Sequence, residues 1–510
     1  MKKGYPGRSK KRLKYFVPTC IVAAALVAPA ATIAREVKVG GGVSVGYEFD
    51  DRQYDDDAPA EQDEQTEAPN TASNSDERYS RFRIAPLVTL TSPAARDEIA
   101  LRYSPSYRYD LENSGDDIDH DLSATLSRYV TSSWQLKLSD KYLLTDRFGT
   151  RDVAYSDSSA ESTGSAAGTE STVKLSDNDN RRKYWTNDVS LRSEHTYWED
   201  SLFSLGYGYK ILENIDNDES SSYENYDRHE VSSSLAHRFT SVWKLSVSGS
   251  YVRGLYDQVE AESTTTDEEN PEIEKDLHEY RATTMLESNL LEHQSQKLSY
   301  SFYGVDYDAT EQNNATIQDM TLGWQWDLSK ELMFSLGAGP TYTKAEDSDG
   351  EWGYNGNLAC RYTFERGNIG LTGSRGFERQ NFTGTDENGL REFWQSKLSL
   401  NYQVSEDLSA TLFSSYRYED EETITAVSPA TTTTTGPDTT ADGTDSTTTT
   451  ETFNRKRFST GASLGYSFWQ WYKVSLSYDY SLQDSEKADD SFDEHRVALT
   501  FSYEKELFSW

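Results

Sequence analysis

Seven histidines are the residues of this 510-residue chain best suited to move protons. Four recur at one kind of place: His120 in DIDHDLS, His229 in DRHEVS, His278 in DLHEYRA and His495 in DEHRVAL. Each opens an apolar/polar alternation as the chain leaves a polar stretch. A histidine with a carboxylate and a hydroxyl in hydrogen-bond reach is the working set of a hydrolase. Parity argues against that here. His495 is in phase with Val497 and Leu499, His229 with Val231, His120 with Leu122 and His278 with Tyr280. His195 and His237 share the phase of Tyr197 and Leu235. Residues two apart lie on one face of a strand, so these imidazoles belong to the apolar face and do not converge on the polar one. They read as interfacial histidines. No zinc-ligand spacing, phosphate loop or nucleophile elbow occurs. The expectation is no enzyme: no catalytic residue, no cofactor, no metal ligand.

The second set is cationic. Lys38, Lys137, Lys244, Lys297 and Lys473 sit just inside outgoing strands on the polar phase, with Arg102 and, on a returning strand, Arg361 at similar depth. If the strands close into a barrel, these seven form a basic ring at one mouth. Rings of fixed charge select permeant ions by sign. Ordinary rim solvation by Lys and Arg is the competing reading.

The elements that would position both sets repeat one pattern. In YKVSLSYDYSLQ, Tyr472 to Gln483, apolar or amphipathic residues alternate with polar ones, as in a strand with one wet and one greasy face. The same alternation runs through Val37–Phe49, Ile99–Tyr109, Phe203–Tyr209, Trp243–Tyr251, Leu398–Val404 and Val497–Tyr503. Short turns (SPAARDE, TSSW, WEDS, TSVW, EHQSQ, SKE, ERGN, SED, WQW) alternate with longer polar segments, giving nine of the first and ten of the second. Nineteen connections mean about twenty strands, with roughly eighteen the alternative because boundaries read this way are good only to a few residues. The expected fold is all-β: a transmembrane antiparallel up-and-down barrel with short periplasmic turns and long acidic external loops. Aromatics gather at the short turns (Trp134, Trp198, Trp243, Phe364, Phe468, Trp469, Trp471), and the chain closes on LFSW. That fits an interfacial girdle and a terminal aromatic, Trp510, read by the barrel-insertion machinery. A soluble solenoid or propeller would show a fixed sequence period, and here loop lengths vary from a few residues to more than thirty.

Composition agrees. Only 35% of residues are hydrophobic, mean hydropathy is -0.79, and Tyr (34) and Trp (11) are abundant. No apolar run long enough for a membrane helix follows the N-terminus. Residues 1–34 read as a secretory signal peptide: a basic MKKGYPGRSKKRLKYF, then an apolar, small-residue VPTCIVAAALVAPAATIA. Residues 35–510 are then the barrel. Removing the leader removes Cys20 and leaves Cys360 as the one cysteine, so no intramolecular disulfide is expected. Net charge is −36, or −43 once seven leader cations are gone, so nucleic acid is excluded as a partner. Much of the acid lies in the loops. The Thr-rich segment at about 422–453 is low-complexity and reads as disordered. The loops match no calcium-loop spacing, and cation-bridged contact with lipopolysaccharide phosphates is the weaker reading of their acid.

GVSVGYEFDDRQYD, RFRIAPLVTLTSPAARDEIALRYSPSYRYD and HDLSATLSRYVTSSWQLKLSDKYLLTDR follow one another in residues 37–150. In that order they resemble outer-membrane β-barrel porins associated with exopolysaccharide and exosortase gene clusters. FDDRQY departs from the Asp-Asn expected after the first strand. Beyond residue 150 only general barrel character continues. The resemblance implies a barrel near a polysaccharide secretion system, and it carries over no site residue.

The leading expectation is an outer-membrane channel for an exopolysaccharide or other polar solutes. Outer-membrane lipid, lipopolysaccharide and a periplasmic export component would be its partners. A non-conducting assembly or surface-anchoring barrel is the alternative, and a barrel hydrolase comes third. The N-terminal plug domain of a TonB-dependent receptor is not expected, because strand one begins almost at the cleavage site.

Overall fold

The computed structural model describes residues 36–54, 77–112, 114–145, 183–215, 225–257, 276–308, 314–345, 349–379, 381–382, 390–425, 449–486 and 491–509. Residues 1–35, where the sequence reading puts a signal peptide, Trp510 and most of the Thr-rich segment lie outside the described residues. Twenty strands run in chain order. The first ten are β1 (Lys38–Tyr54), β2 (Glu77–Pro93), β3 (Asp97–Asp110), β4 (Asp116–Thr131), β5 (Trp134–Thr145), β6 (Tyr184–Trp198), β7 (Ser201–Asn214), β8 (Tyr226–Arg238), β9 (Trp243–Tyr256) and β10 (Leu277–Leu291). Next come β11 (Gln294–Tyr307), β12 (Ala315–Asp327), β13 (Leu332–Ala345), β14 (Glu351–Phe364) and β15 (Gly367–Arg379). The last are β16 (Leu390–Gln403), β17 (Leu408–Thr425), β18 (Thr449–Phe468), β19 (Tyr472–Ser485) and β20 (Phe492–Ser509). β17 and β18 continue a few residues into the segment that sequence patterning assigned to a loop.

Each strand pairs antiparallel with the next, and β1 pairs with both β2 and β20. Val45 stands opposite Ile84 on one side and Phe501 on the other. The sheet is therefore a closed barrel with no open edge, the topology in which every strand's ladder is satisfied by neighbours. The nine short connections lie at one end and the ten longer ones at the other. Three of the tight turns use residues with positive φ: Asp200 (54°), His293 (61°), and Trp469 (51°) with Gln470 (64°). Asp and His are among the side chains that tolerate this region. His293 thus has a backbone role.

Alternation sets what faces where. On β19, Leu476, Tyr478 and Leu482 are exposed on the outer surface, while Gly461 and Asp479, Ser463 and Ser477 pair across β18 on the inner one. The outer surface is a continuous apolar belt: Val88 is 54% exposed, Leu205 50% and Leu322 66%. A folded chain in water rarely leaves a patch of that extent uncovered. The buried core is instead inside the ring, toward the long-loop end.

Candidate functional site in the lumen

The inner wall has two unlike arcs. On β6 to β12, inward positions near the long loops carry bulk where small polar residues would be expected. Tyr184, Leu212, Tyr226 and Val252 are at most 2% exposed, as are Leu277 and Val305. Register brings them together: Tyr226 faces Leu212 and Tyr256, and Leu277 faces Gly254 and Tyr307.

A second piece of chain completes this cluster. Asn381 and Phe382, from the connection between β15 and β16, lie against the β8–β11 wall and are 3% and 1% exposed. The Phe382 ring stacks on Tyr256 (centroids 5.7 Å, 13°) and meets Tyr226 edge-on (5.2 Å, 66°). Its backbone N–H donates to Tyr256 Oη at 3.1 Å. Asn381 Nδ2 donates to Glu279 Oε1 (3.0 Å) and Tyr303 Oη (3.2 Å), and Tyr307 Oη donates to Asn381 Oδ1 (2.8 Å). Tyr303 Oη also donates to Glu279 Oε1 at 2.9 Å, and Arg281 pairs with the other carboxylate oxygen. This strap reaches from one part of the ring to strands four to seven places away, so it narrows the lumen.

The opposite arc, β16 to β4, is ionic. Glu419 accepts from Arg391 Nη1 (2.8 Å), pairs with Arg417, and has Arg455 Nη1 at 3.5 Å. Three guanidiniums thus gather around one carboxylate. Farther round, Arg52 lies 4.3 Å over the Phe492 ring and 3.5 Å from Glu494. Arg496 pairs with Glu48 at 2.7 Å, and Arg108 with Asp119 at 2.6 Å. Arginine suits such a wall because its planar fork bonds carboxylates and stacks on rings at once.

The seven cations of the sequence reading all fall on the inward phase toward the short-turn end. They are not surrounded by cations alone. Lys38 pairs with Glu36 (3.3 Å), Lys137 with Glu194 (2.8 Å), and Glu287 stands opposite both Lys244 and Lys297 in register. Arg102, Arg361 and Lys473 face neutral partners across the ladder: Thr89 and Ser123, Met333 and Gly370, Ser467 and Ser502. Glu194 and Glu287 share the inward phase, so testing acids for parity as well as bases would have found them.

The histidines are outward, and each of five bonds through Nδ1 to a tyrosine on a nearby strand. The pairs are Tyr103–His120 (2.9 Å), Tyr207–His229 (2.9 Å), Tyr251–His278 (2.5 Å), Tyr478–His495 (2.9 Å) and Tyr197–His237 (3.0 Å). In the first four the tyrosine lies diagonally across a hairpin, two residues off the histidine's register partner. The recurrence seen in sequence is thus a repeated cross-strand pair, spread around the outside.

The strap was the miss. Residues 381–391 read as an ordinary polar loop. Two signals were present: a lone Phe in QNFTGTDENG, and lapses of alternation such as SYSFYGVDY, where both faces of the strand are bulky.

No family model matches the chain, and no curated protein does. Solved structures similar to it include Pseudomonas aeruginosa OpdQ, at 11% identity and TM-score 0.40 over 92% of this chain and 98% of that one. A BenF-like porin from Pseudomonas fluorescens Pf-5 is 9% identical with TM-score 0.43, over 92% of this chain and 99% of that one. The siderophore receptor PirA from Pseudomonas aeruginosa is 12% identical with TM-score 0.45, over 91% and 80%.

Proposed function

We propose that the chain is an outer-membrane channel that passes polar solutes, with an exopolysaccharide as its exported cargo. One observation carries the reading: a closed ring of twenty strands whose apolar side chains face outward and whose polar and charged side chains line the inside. Turning the apolar belt to solvent is unfavourable in water and favourable in hydrocarbon. A ring of this size exceeds the about sixteen to eighteen strands that already enclose an aqueous channel. The resemblance in residues 37–150 supports a role beside polysaccharide secretion. Non-enzymatic action fits the five histidines that are tied to tyrosines on the outer surface. Acidic long loops outside and a mixed-charge mouth inside the periplasm would complete the path.

The test is single-channel conductance of the purified protein in a planar bilayer. A steady conductance is the expected result, and a sealed barrel overturns the reading. Orientation is checked on intact cells: a label at Thr433 reacts and one at Glu406 does not. Reaction at Glu406 alone would reverse the assignment of ends. A non-conducting barrel is the second reading. The strap and the apolar cluster, which fill part of the lumen, favour it.

A further inference from the structure

The place where the strap docks has the form of a ligand slot. Its floor is Gly254, where a Cβ would lie 2.6 Å from the Phe382 ring, so a side chain there would fill the space the ring now takes. Its sides are the Tyr256 face and the Tyr226 edge, with the Arg228 guanidinium 5.4 Å from the ring. At its inner end stands Glu279, a carboxylate only 1% exposed. The strap offers this slot a ring and, beside it, an amide. The amide's oxygen takes a hydrogen bond from Tyr307, and its nitrogen gives hydrogen bonds to Glu279 and Tyr303. The strap holds its own backbone in a strained form to do so: Phe382 has φ 67°, a region that bulky residues rarely adopt.

We propose that this slot is a binding site for an N-acetylated sugar ring, and that Asn381 and Phe382 occupy it as an internal stand-in. The proposal rests on the channel reading above and names the class of solute that channel recognises. An acetamido group presents one carbonyl acceptor and one N–H donor, the two functions that Asn381 supplies to Tyr307 and Glu279. The C–H face of a pyranose packs on an aromatic face as the Phe382 ring does on Tyr256. Sugar and strap then compete. A site that is free only part of the time binds more weakly by that fraction, so removing the stand-in strengthens sugar binding.

The experiment uses full-length protein in detergent micelles, with N,N′-diacetylchitobiose as probe and cellobiose as the control lacking acetamido groups. Binding is read by calorimetry, and conductance of the same samples is read in planar bilayers. The double substitution Asn381→Ala/Phe382→Ala is expected to bind diacetylchitobiose about tenfold more tightly than wild type, with no such gain for cellobiose. Adding Tyr307→Phe, which removes the donor to the carbonyl, reverses that gain. Should the double variant lose the heat-modifiable mobility of a folded barrel, Phe382→Ser alone gives the same comparison. Equal affinity in wild type and variant, equal gains for both sugars, or no binding by either form overturns the slot. Sugar binding without conductance overturns the channel and keeps the slot. Conductance without sugar binding does the reverse.

Discussion

The two arcs of the inner wall solve the same problem in different ways. Both must fill space inside a ring of strands without breaking the ladder. The β6–β12 arc does so with aromatic and aliphatic side chains capped by the Asn381–Phe382 strap. The β16–β4 arc does so with arginines and carboxylates that pair along and across strands. In the first arc Glu279 is the buried carboxylate at the strap, held by Asn381, Tyr303 and Arg281. In the second the polar groups are the wall. One arc packs rings and aliphatic chains against a piece of chain, and the other packs charged groups that are themselves buried against one another.

Placing a charge in the apolar arc should have the largest effect. Leu277→Asp puts an unpaired carboxylate where the side chain is 0% exposed. A buried, unpaired charge costs several kcal/mol unless it neutralises, so the urea midpoint of the barrel should fall sharply and conductance should rise as the strap lifts. An unchanged midpoint would mean that the arc is wet. Next comes Glu419→Ala in the ionic arc, which removes the carboxylate that Arg391, Arg417 and Arg455 share. A loss of about 3 kcal/mol is expected, and adding Arg391→Ala should recover part of it. If the second substitution makes matters worse, the patch is not held by that pair.

Gly254→Ala separates strap from wall. The added Cβ would meet Phe382 Cε1 at 2.6 Å, so the strap should be displaced with the barrel intact. Conductance roughly doubling, with a stability change of about 1 kcal/mol, is the expected pattern. Constant conductance would show that the strap does not set the width. Charge reversal at the short-turn mouth should be milder. Lys137, Lys244 and Lys473, all changed to Glu, should shift the reversal potential across a salt gradient toward cation selectivity. The shift should fade as salt rises, because screening acts over about 8 Å at physiological ionic strength. No shift at low salt would remove the ring from the mechanism. Cys360→Ala should do least. Cys360 is an outward residue in register with Phe334 and Leu371, and conductance and midpoint should stay within about 0.5 kcal/mol of wild type. Loss of conductance in a well-assembled barrel would give that thiol a role it lacks here.

The barrel was legible because a strand's period of two converts residue order directly into inside and outside. The parity of His120, His229, His278 and His495 alone places them on the outward face, where each meets a tyrosine. The strap was not legible for a corresponding reason. Its docking depends on Asn381 meeting Glu279, 102 residues away, and Phe382 meeting Tyr256, 126 residues away. No local period encodes contacts of that range. The tyrosines that hold the histidines were hidden differently: four of the five are two residues off register, and register follows from turn geometry and closure.

The meeting of β1 with β20 also orders events in time. Nineteen of the twenty pairings join consecutive strands and can zip as hairpins or successive additions. Only the seam from Lys38 against Ser509 to Tyr54 against Phe492 joins the ends of the described chain. Nothing can seal until the last strand exists, so the ring stays open, with two bare edges, for the whole of its growth. The entropy of bringing distant ends together rises slowly, by about 0.6 kcal/mol per doubling of the separation. The seam meets that cost with long partners, 17 residues of β1 against 18 of β20. Closure is therefore one late, cooperative event, and the span of hydrogen bonds in that seam governs how often a growing sheet becomes a sealed wall.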